Sequence, residues 1–444
     1  MRIVLNPVKK NVFNNLIQDA IDRCSQNGGG SICLNPGIYY SKPLTLISNL
    51  DLEIPSGVKI IFSNNYKDYS PVYTRWEGTE CYAIQSLVFG YNCQNIKIHG
   101  AGIIDGNGSL WWNSYKEIRR GIFTTDTLGV INTLKPLNKG LQAGSGGGGI
   151  DTNFLRPSLI QLKNCKDIVI NGITLQNSPF WNTHILYSEK INIDGVTFIN
   201  PENAPNTDGL DIDSSSFINI KNCTFNVGDD CLCLKSGMDE NGYRVGKSTN
   251  NINIDNCTMN KGHGGVVIGS ETSGGINNIF INNCKMLGTD RGIRIKTRRQ
   301  RCGVIDNVAI NNIYMENVIS PFVINMYYRC GAKDEDIEYL SSEKSEKFII
   351  NSTPSISNIT VDTLKAYGVK SSSLFFLGLP ESKIKYIKLK NIEIFKHQQE
   401  IVDEPAMDLF FTKVAQGEFF IKNIEGVEFS DIYFEKMEVN LQND

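Results

Sequence analysis

The sequence predicts an all-β protein, a parallel β-helix of about ten coils with an N-terminal capping helix, in one domain over residues 1–444. Three observations predict it. A four-residue x-apolar-x-apolar unit recurs along the chain. From Ile168 onwards successive units start 23 to 34 residues apart, except for one step of 51 residues from Val308 to Ile359. No long helical segment separates them, so the strands cannot form βαβ crossovers, and stacking as coils buries their apolar sides.

The N-terminal cap is predicted over about residues 1–30. Apolar side chains recur there at the spacing of one helix face, at Phe13, Leu16, Ile17, Ala20, Ile21 and Cys24. This pattern is typical of an amphipathic helix, and Gly28-Gly29-Gly30 ends it. Such a helix would cover the open end of a solenoid.

The repeating unit has the pattern of a short strand with one buried face, because apolar and polar residues alternate and β-branched residues are frequent. The units are Asn95–Ile98, Asp167–Ile170, Lys190–Ile193, Phe217–Ile220, Asn251–Ile254, Asn278–Ile281, Asn307–Ile310, Asn358–Val361 and Tyr386–Leu389. Several are flanked by an Asn-Cys step, and Asn suits tight turns with a left-handed backbone.

Two stretches interrupt the repeat. The glycine run and polar content of residues 110–157 predict a long irregular surface loop, which would flank a binding cleft. The 51-residue step after Val308 predicts one extra coil plus a charged loop over residues 333–347.

Composition excludes several classes of protein. The 444 residues are 41% hydrophobic and 20% charged, too apolar for a disordered chain, and the formal charge of -3 gives no general basic field for nucleic acid or membrane. The 12 cysteines are interpreted as mostly reduced, buried thiols, and no metal or other cofactor is expected. The first residues lack the apolar core of a signal peptide, so we expect a cytoplasmic protein, or a secreted one if the N-terminus has been trimmed.

Ionisable residues on successive coils form the candidate site. Asp208 lies 21 residues before Asp229, Asp230 lies 33 before His263, and His263 lies 31 before Arg294. Each spacing is about one coil, which predicts that these groups share one face.

Clustered carboxylates suit glycoside hydrolysis, which needs one protonated acid and one ionised base. Arg294 and Lys296 have the same parity on one strand and would hold a carboxylate or phosphate. The alternatives are that the Asp residues only form turns and that the neighbouring basic residues, Arg291, Arg298, Arg299 and Arg301, only form a solvated face.

The motifs Asn206-Thr-Asp-Gly209, Gly228-Asp-Asp230, Gly262-His-Gly264 and Arg294-Ile-Lys296 resemble the signature motifs of the polygalacturonases, family 28 of the glycoside hydrolases. The resemblance implies a right-handed parallel β-helix that hydrolyses α-1,4 bonds between galacturonic acids with inversion. It implies that Asp229 is the general acid, that Asp208 and Asp230 hold and activate water, and that His263 tunes the acid. It further implies that Arg294 and Lys296 bind the galacturonate carboxylate.

The stretches around Arg75-Trp76 and Phe154-Leu-Arg156-Pro157 resemble the bacterial exo-acting members, whose long loops close one end of the cleft. Arg156 could pair with a terminal carboxylate or brace the loop. The candidate substrate contacts are completed by Asn206, Trp181 and His184.

The leading interpretation is therefore an exo-acting galacturonidase with oligogalacturonide or pectin as its substrate. No nucleic acid or membrane partner is expected, and a homo-oligomer is compatible with the sequence. The alternatives are an endo-polygalacturonase or rhamnogalacturonan-type hydrolase on the same fold, a calcium-dependent pectate lyase, and a non-catalytic polysaccharide-binding β-helix.

Overall fold

The computed structural model describes residues 1–8, 12–140, 150–399 and 402–435. The chain divides into two compact units: the first ends at Asp229, and the second begins at Asp230 and also includes Glu77–Thr79. The single domain over residues 1–444 stays a prediction.

The first unit consists of short strands and a few helices. Its helices are α1 (Leu16–Ser25), α2 (Ser109–Arg119) and α3 (Thr125–Leu134), with 3₁₀ turns at Tyr66–Asp68 and Ile150–Thr152. Its strands are β1 (Arg2–Leu5), β2 (Gly30–Leu34), β3 (Gly37–Ser41), β4 (Leu44–Thr45), β5 (Leu50–Ile54), β6 (Val58–Phe62), β7 (Pro71–Trp76), β8 (Thr79–Ile84), β9 (Val88–Tyr91), β10 (Gln94–Gly100), β11 (Ile103–Asp105), β12 (Ile160–Lys163), β13 (Lys166–Asn171), β14 (Thr174–Gln176), β15 (Thr183–Leu186), β16 (Glu189–Asp194), β17 (Thr197–Ile199), β18 (Leu210–Asp213), β19 (Ser216–Lys221) and β20 (Thr224–Asn226).

These strands stack in three parallel columns, one strand of each column per coil. The columns are β1-β2-β5-β10-β13-β16-β19, β3-β6-β11-β14-β17-β20 and β4-β9-β12-β15-β18. The repeat is in register within the first column, where Ile168 pairs with Ile96 on one side and Ile191 on the other. The apolar period read from the sequence is therefore the coil period.

The second unit continues the same pattern. Its strands are β21 (Leu232–Lys235), β22 (Thr249–Asp255), β23 (Thr258–Lys261), β24 (Gly264–Gly269), β25 (Ile276–Asn282), β26 (Lys285–Leu287), β27 (Arg291–Lys296), β28 (Val304–Glu316), β29 (Ser320–Asn325), β30 (Ser355–Val369), β31 (Leu374–Leu377), β32 (Ile384–Lys396), β33 (Phe419–Lys422) and β34 (Ile424–Phe434). Its helices are α4 (Asp239–Val245) and α5 (Ile337–Leu340), with a 3₁₀ turn at Asp334–Asp336.

The prediction of an extra coil in the 51-residue step is wrong. Strand β28 pairs directly with β30, and Val308 lies opposite Ile359. The additional residues leave the stack between β29 and β30, where α5 lies. Each unit is thus a right-handed parallel β-helix, and the predicted all-β fold class is confirmed.

The predicted N-terminal helix is present as α1, which packs against β2 and β4. Its buried side chains are Ile17, Ala20, Ile21 and Cys24, the face expected from the sequence. Among the described helices, none has the length and apolarity needed to cross a bilayer.

The prediction of an irregular loop over residues 110–157 is wrong where the chain forms α2 and α3. One face of α2 buries Trp111, Trp112 and Ile118, and Trp112 Nε1 donates to the Ser178 carbonyl at 2.8 Å. Helix α3 begins with a capping box between Thr124 and Thr127, which satisfies main-chain groups that a helix start leaves without partners. The glycine run falls in residues 141–149, outside the described residues.

Many repeat units begin with a residue in the left-handed backbone region. Asn95 and Asn251 have φ of 55° and 54°, but Lys190 and Phe217 adopt 57° and 56° at the equivalent place. Side chains of these types are strained there by roughly 1–2 kcal/mol per residue. The stacked coils impose this conformation, since local preference alone would not select it.

Candidate active site

A buried ion pair joins two candidate residues in the second unit. Lys296 Nζ donates to Asp230 Oδ2 at 2.7 Å, and the two residues are only 7% and 1% exposed. Lys296 ends β27, and Asp230 lies two residues before β21. Cys233 Sγ also approaches the same carboxylate oxygen, at 3.5 Å.

The pair fixes the charge of both groups. Burial by itself would raise the pKa of Asp230, but Lys296 and Arg294 outweigh burial and hold that pKa well below its usual range. Burial would lower the pKa of Lys296, and the Asp230 carboxylate outweighs it, so this pKa lies above its usual range. Asp230 is therefore an ionised carboxylate at any pH near neutrality.

Arg294 and Lys296 face the same aromatic ring. The Arg294 guanidinium carbon and Lys296 Nζ lie 5.5 and 5.3 Å from the centroid of Tyr328. Arg294 Nη2 reaches the Ala406 carbonyl at 3.5 Å, while Nε has no hydrogen-bond partner among the described residues. Two adjacent cations with donors to spare can bind a carboxylate. Sequence reasoning missed Tyr328 because it lies between two repeat units and outside every motif.

His263 and the cations are not stacked directly on one another. His263 is exposed and precedes β24, in which Val267 is the register partner of Arg294. Arg294 therefore lies further along its strand than the 31-residue spacing suggested. Gly264 leaves space beside the ion pair, because a Cβ atom there would collide with Val267 Cγ2 and approach Asp230 Oδ1 to 3.0 Å.

The surrounding basic cluster forms neither a solvated face nor an open anion site. All four arginines are buried and bind groups of the chain. Their partners are the Pro405 and Glu404 carbonyls for Arg291, the Cys330 and Gly331 carbonyls for Arg298, the Glu381 carboxylate for Arg299, and Ser270 with Asp239 for Arg301. These side chains hold loops of the second unit in place.

The other two candidate carboxylates belong to the first unit. Asp208 is 5% exposed and lies two residues before β18, and its carbonyl accepts the Asn182 N–H at 2.7 Å. Asp229 is half-buried and is the last residue of this unit. Asp208 and Asp229 thus lie in the first unit, and Asp230 lies in the second.

The aromatic candidates of the first unit form one stack. Trp76 lies parallel to Phe180 at 4.7 Å between ring centroids, and Phe180 lies parallel to Trp181 at 5.1 Å. Trp181 meets the His184 ring edge-on at 5.0 Å. Each of these side chains is buried, so the stack is a rigid support.

Arg156 braces this stack from inside the protein. It is fully buried, and its guanidinium donates to the Pro179 and Pro205 carbonyls at 3.0 and 2.7 Å and to Asn206 Oδ1 at 2.8 Å. Trp76 Nε1 in turn donates to the Arg156 carbonyl at 3.0 Å. Of the two roles left open for Arg156, the geometry favours bracing, and the amide oxygen of Asn206 serves the same purpose.

Arg75 and His184 also bind the protein itself, and the contact of Arg75 with substrate stays a prediction. Arg75 Nη1 pairs with Asp213 Oδ1 at 2.6 Å, and both residues are fully buried. His184 bridges Gln161 at 2.8 Å and Asp213 Oδ2 at 3.4 Å. Sequence reasoning did not assign Asp213 a role, although its alternation with buried Ile212 was visible.

Five of the candidate substrate contacts line one small cavity. Arg75, Trp76, Arg156, Trp181 and His184 surround a space of about 10 Å³. That volume holds about one water molecule. A sugar ring does not fit in this space, and contact of these side chains with substrate stays a prediction.

The Asp213 network gives an expected pH dependence of stability. Burial would raise the pKa of Asp213, but Arg75 and His184 outweigh it and lower the pKa to about 2. A carboxyl with a pKa below its unfolded value of about 3.9 stabilises the fold above that pH, and the contribution is lost as the pH falls towards 2. We expect Asp213→Asn to lower the free energy of unfolding at pH 7 by roughly 2–3 kcal/mol, measured by urea unfolding.

The difference between wild type and Asp213→Asn should shrink between pH 4 and 2. Asp151→Asn is the matched control, because Asp151 pairs with Arg119 at 3.3 Å but both side chains are about half exposed. It should cost less than about 1 kcal/mol at any pH. A pH-independent effect of Asp213→Asn would show that the carboxylate charge is not the stabilising feature.

Comparison with known proteins agrees with this geometry. Residues 146–406 match the model of the glycosyl hydrolases family 28. A probable polygalacturonase of Vitis vinifera is 30% identical over 311 residues, 68% of this chain and 57% of that protein, so the chain spans little more than half of the grapevine relative. An endo-polygalacturonase of Pectobacterium parmentieri is 30% identical over 330 residues, 70% of this chain and 71% of that protein.

The same fold occurs in a solved relative. The crystal structure of a hyperthermoactive exopolygalacturonase from Thermotoga maritima superposes with a TM-score of 0.73 and 27% identity, covering 89% of this chain and 87% of that one. The match over more than half of the chain, with the motif residues in place on the coils, shows that this protein belongs to family 28 of the glycosyl hydrolases.

Proposed function

We propose that this protein hydrolyses α-1,4 bonds between galacturonic acids, releasing sugars from the ends of oligogalacturonides or pectin chains with inversion. The observation that carries the proposal is the buried Asp230–Lys296 pair beside Arg294, in a chain of family 28. It supplies a permanently ionised carboxylate together with cations for an acidic substrate.

The ionised state of Asp230 supports different catalytic roles for the three carboxylates. A group with so low a pKa accepts a proton poorly but orders and polarises a water molecule as a hydrogen-bond acceptor. Asp208 and Asp230 are assigned to hold and activate the attacking water, and Asp208 receives the proton that the water loses as it attacks. Asp229, next to Asp230 in sequence and half-buried, is assigned as the acid that protonates the leaving oxygen. His263 is assigned to tune the proton affinity of that acid.

Arg294 and Lys296 are assigned to the substrate carboxylate. Lys296 uses one of its three donors on Asp230, and the buried Arg294 Nε has no hydrogen-bond partner among the described residues. Neutral galactosides lack the charge that these cations recognise, so they should be poor substrates.

Attack at chain ends is supported by the rigid aromatic stack of Trp76, Phe180 and Trp181, braced by Arg156. Its packing leaves no room for a sugar, as a wall at the end of a cleft requires. The Thermotoga maritima relative is an exopolygalacturonase, whereas the Pectobacterium parmentieri relative is an endo-polygalacturonase.

Product sizing during digestion of hexagalacturonate and polygalacturonate tests the cleavage mode. We expect a mono- or disaccharide as the first product and a slow fall in the viscosity of the polymer, because only a terminal sugar enters the site. Early mid-sized oligomers with a rapid viscosity drop would instead establish an endo enzyme.

Proton NMR of the same reaction tests the stereochemistry. An inverting enzyme, which activates water on the face opposite the leaving group, converts the α-linkage first into the β-anomer. An initial α-anomer would overturn the assignment of Asp208 and Asp230 as water-holding groups. Ultraviolet-absorbing products that form only with calcium would indicate a lyase.

We also propose that the enzyme acts in the cytoplasm on short oligomers. Cys93 and Cys165 follow the equivalent Asn of neighbouring coils and remain thiols, which suits a reducing compartment. Cell fractionation with an antibody against the protein tests this, and recovery from the culture medium would refute it.

A further inference from the structure

Three exposed tyrosines, none of them among the residues assigned above to catalysis, cluster on the first unit. Tyr73 on β7 is 48% exposed, Tyr82 on β8 is 36% exposed, and Tyr91 on β9 is 51% exposed. Exposed aromatic groups gathered in one place, unlike scattered single ones, mark interaction surfaces.

The rings are arranged around one ammonium group. Lys163 Nζ lies 5.2 Å from the ring centroids of both Tyr73 and Tyr91, within the range of cation–π attraction. Tyr82 meets Tyr73 at 5.4 Å between centroids, with an interplanar angle of 64°. Tyr91 and Lys163 are also register partners on adjacent coils, so the stacked backbone fixes their spacing.

Lys163 lies largely buried among the tyrosines, and a hydrogen bond fixes its ammonium group. It is 9% exposed, and Nζ donates to the Tyr73 carbonyl at 2.7 Å, which uses one of three donors. Burial is the largest influence on the pKa of Lys163 and lowers it. Glu80 raises this pKa, and Arg75 lowers it further. An arriving carboxylate would favour the charged ammonium and gain a charge-assisted hydrogen bond.

The chemistry of this cluster selects a particular kind of ligand. Pyranose rings carry an apolar face of C–H groups that packs on exposed aromatic rings, and a uronic acid adds one carboxylate per sugar. Tyrosine rings and a lysine ammonium complement both features, whereas a neutral glycan would use only the rings.

We propose that Tyr73, Tyr82, Tyr91 and Lys163 form a uronate-binding platform that holds a polygalacturonate chain outside the catalytic centre. The inference rests on the proposed function, because it takes the same polymer as ligand. Such a platform raises the effective concentration of chain ends near the enzyme, as linked binding sites do.

Affinity electrophoresis through polygalacturonate tests the proposal, with neutral galactan as the comparison polymer. The Asp229→Asn background limits consumption of the polymer during the run. We expect the Tyr73→Ala/Tyr91→Ala variant to bind polygalacturonate about tenfold more weakly, and the binding of Lys163→Met to depend less on salt than that of the parent, because Arg294 and Lys296 remain. Tyr386→Ala is the matched control, because Tyr386 is 61% exposed on the second unit, and it should bind as the parent does.

Thermal unfolding of every variant separates lost binding from lost folding, and Tyr82→Ala provides a second single-ring test if the double variant is unstable. Binding that is unchanged in folded Tyr variants, or equal retardation by galactan, would overturn the platform. Tyrosine-dependent binding in an enzyme that does not cleave galacturonides would refute the proposed function and leave the platform standing. Normal cleavage with tyrosine-independent binding would refute the platform and leave the proposed function standing.

Discussion

Asp229→Asn should abolish turnover of trigalacturonate, with a fall in kcat of about 10²–10⁴-fold or more. The amide has nearly the shape of the carboxyl group but cannot deliver a proton to the leaving oxygen. Asp230 cannot take over, because Lys296 and Arg294 keep its pKa far below the working range. Initial rates measured by reducing-sugar release give the result.

A substrate with a good leaving group separates the acid role from other roles of Asp229. Nitrophenyl galacturonide needs little protonation at the departing oxygen, so Asp229→Asn should lose far less activity on it than on the trisaccharide. Asp194→Asn is a matched control, because the Asp194 side chain, at the end of β16, accepts an exposed hydrogen bond from Asn222 at 2.7 Å. More than about a tenth of wild-type activity on trigalacturonate would show that Asp229 is not the acid.

Lys296→Met should lower the free energy of unfolding by about 3–5 kcal/mol, because it leaves the Asp230 carboxylate buried without its partner. The pKa of Asp230 should rise, since Lys296 is the strongest of the groups that lower it. Chemical unfolding monitored by tryptophan fluorescence measures the first effect. Activity should fall as well, and KM for acidic oligomers should rise.

The double variant Asp230→Asn/Lys296→Met distinguishes an ion pair from simple packing. Removing both charges should restore much of the stability lost in Lys296→Met, because the uncompensated charge is gone. It should restore no activity. If the double variant is as unstable as the sum of the single variants, the two residues do not stabilise each other.

The register of the coils was predictable because burial repeats with it. Ile252, Ile279 and Val308 lie opposite one another, as their alternation and spacing indicated. Spacing alone could not distinguish a coil from an insertion, which is why the step after Val308 was misread. The α2 helix was missed because glycine and polar residues around it concealed the buried face of Trp111 and Ile118.

The motif residues of the site could be chosen from the sequence, but the partner of each side chain could not. Arg75, Arg156 and Arg299 resemble anion-binding residues in the sequence, yet their guanidinium groups bind Asp213, main-chain carbonyls and Glu381. Such pairings join residues up to 138 positions apart, and no local pattern encodes them. Tyr328 was missed for the same reason.

The insertion between β29 and β30 shows how this architecture can change its chemistry without refolding. Val308 and Ile359 keep their pairing although 51 positions separate them in sequence. Each coil contacts chiefly its neighbours, so a lengthened turn disturbs no distant register. The length of this loop can therefore change while the apolar ladder of the coils keeps its register. The outer surface of the solenoid is thus free to vary independently of the scaffold that carries it.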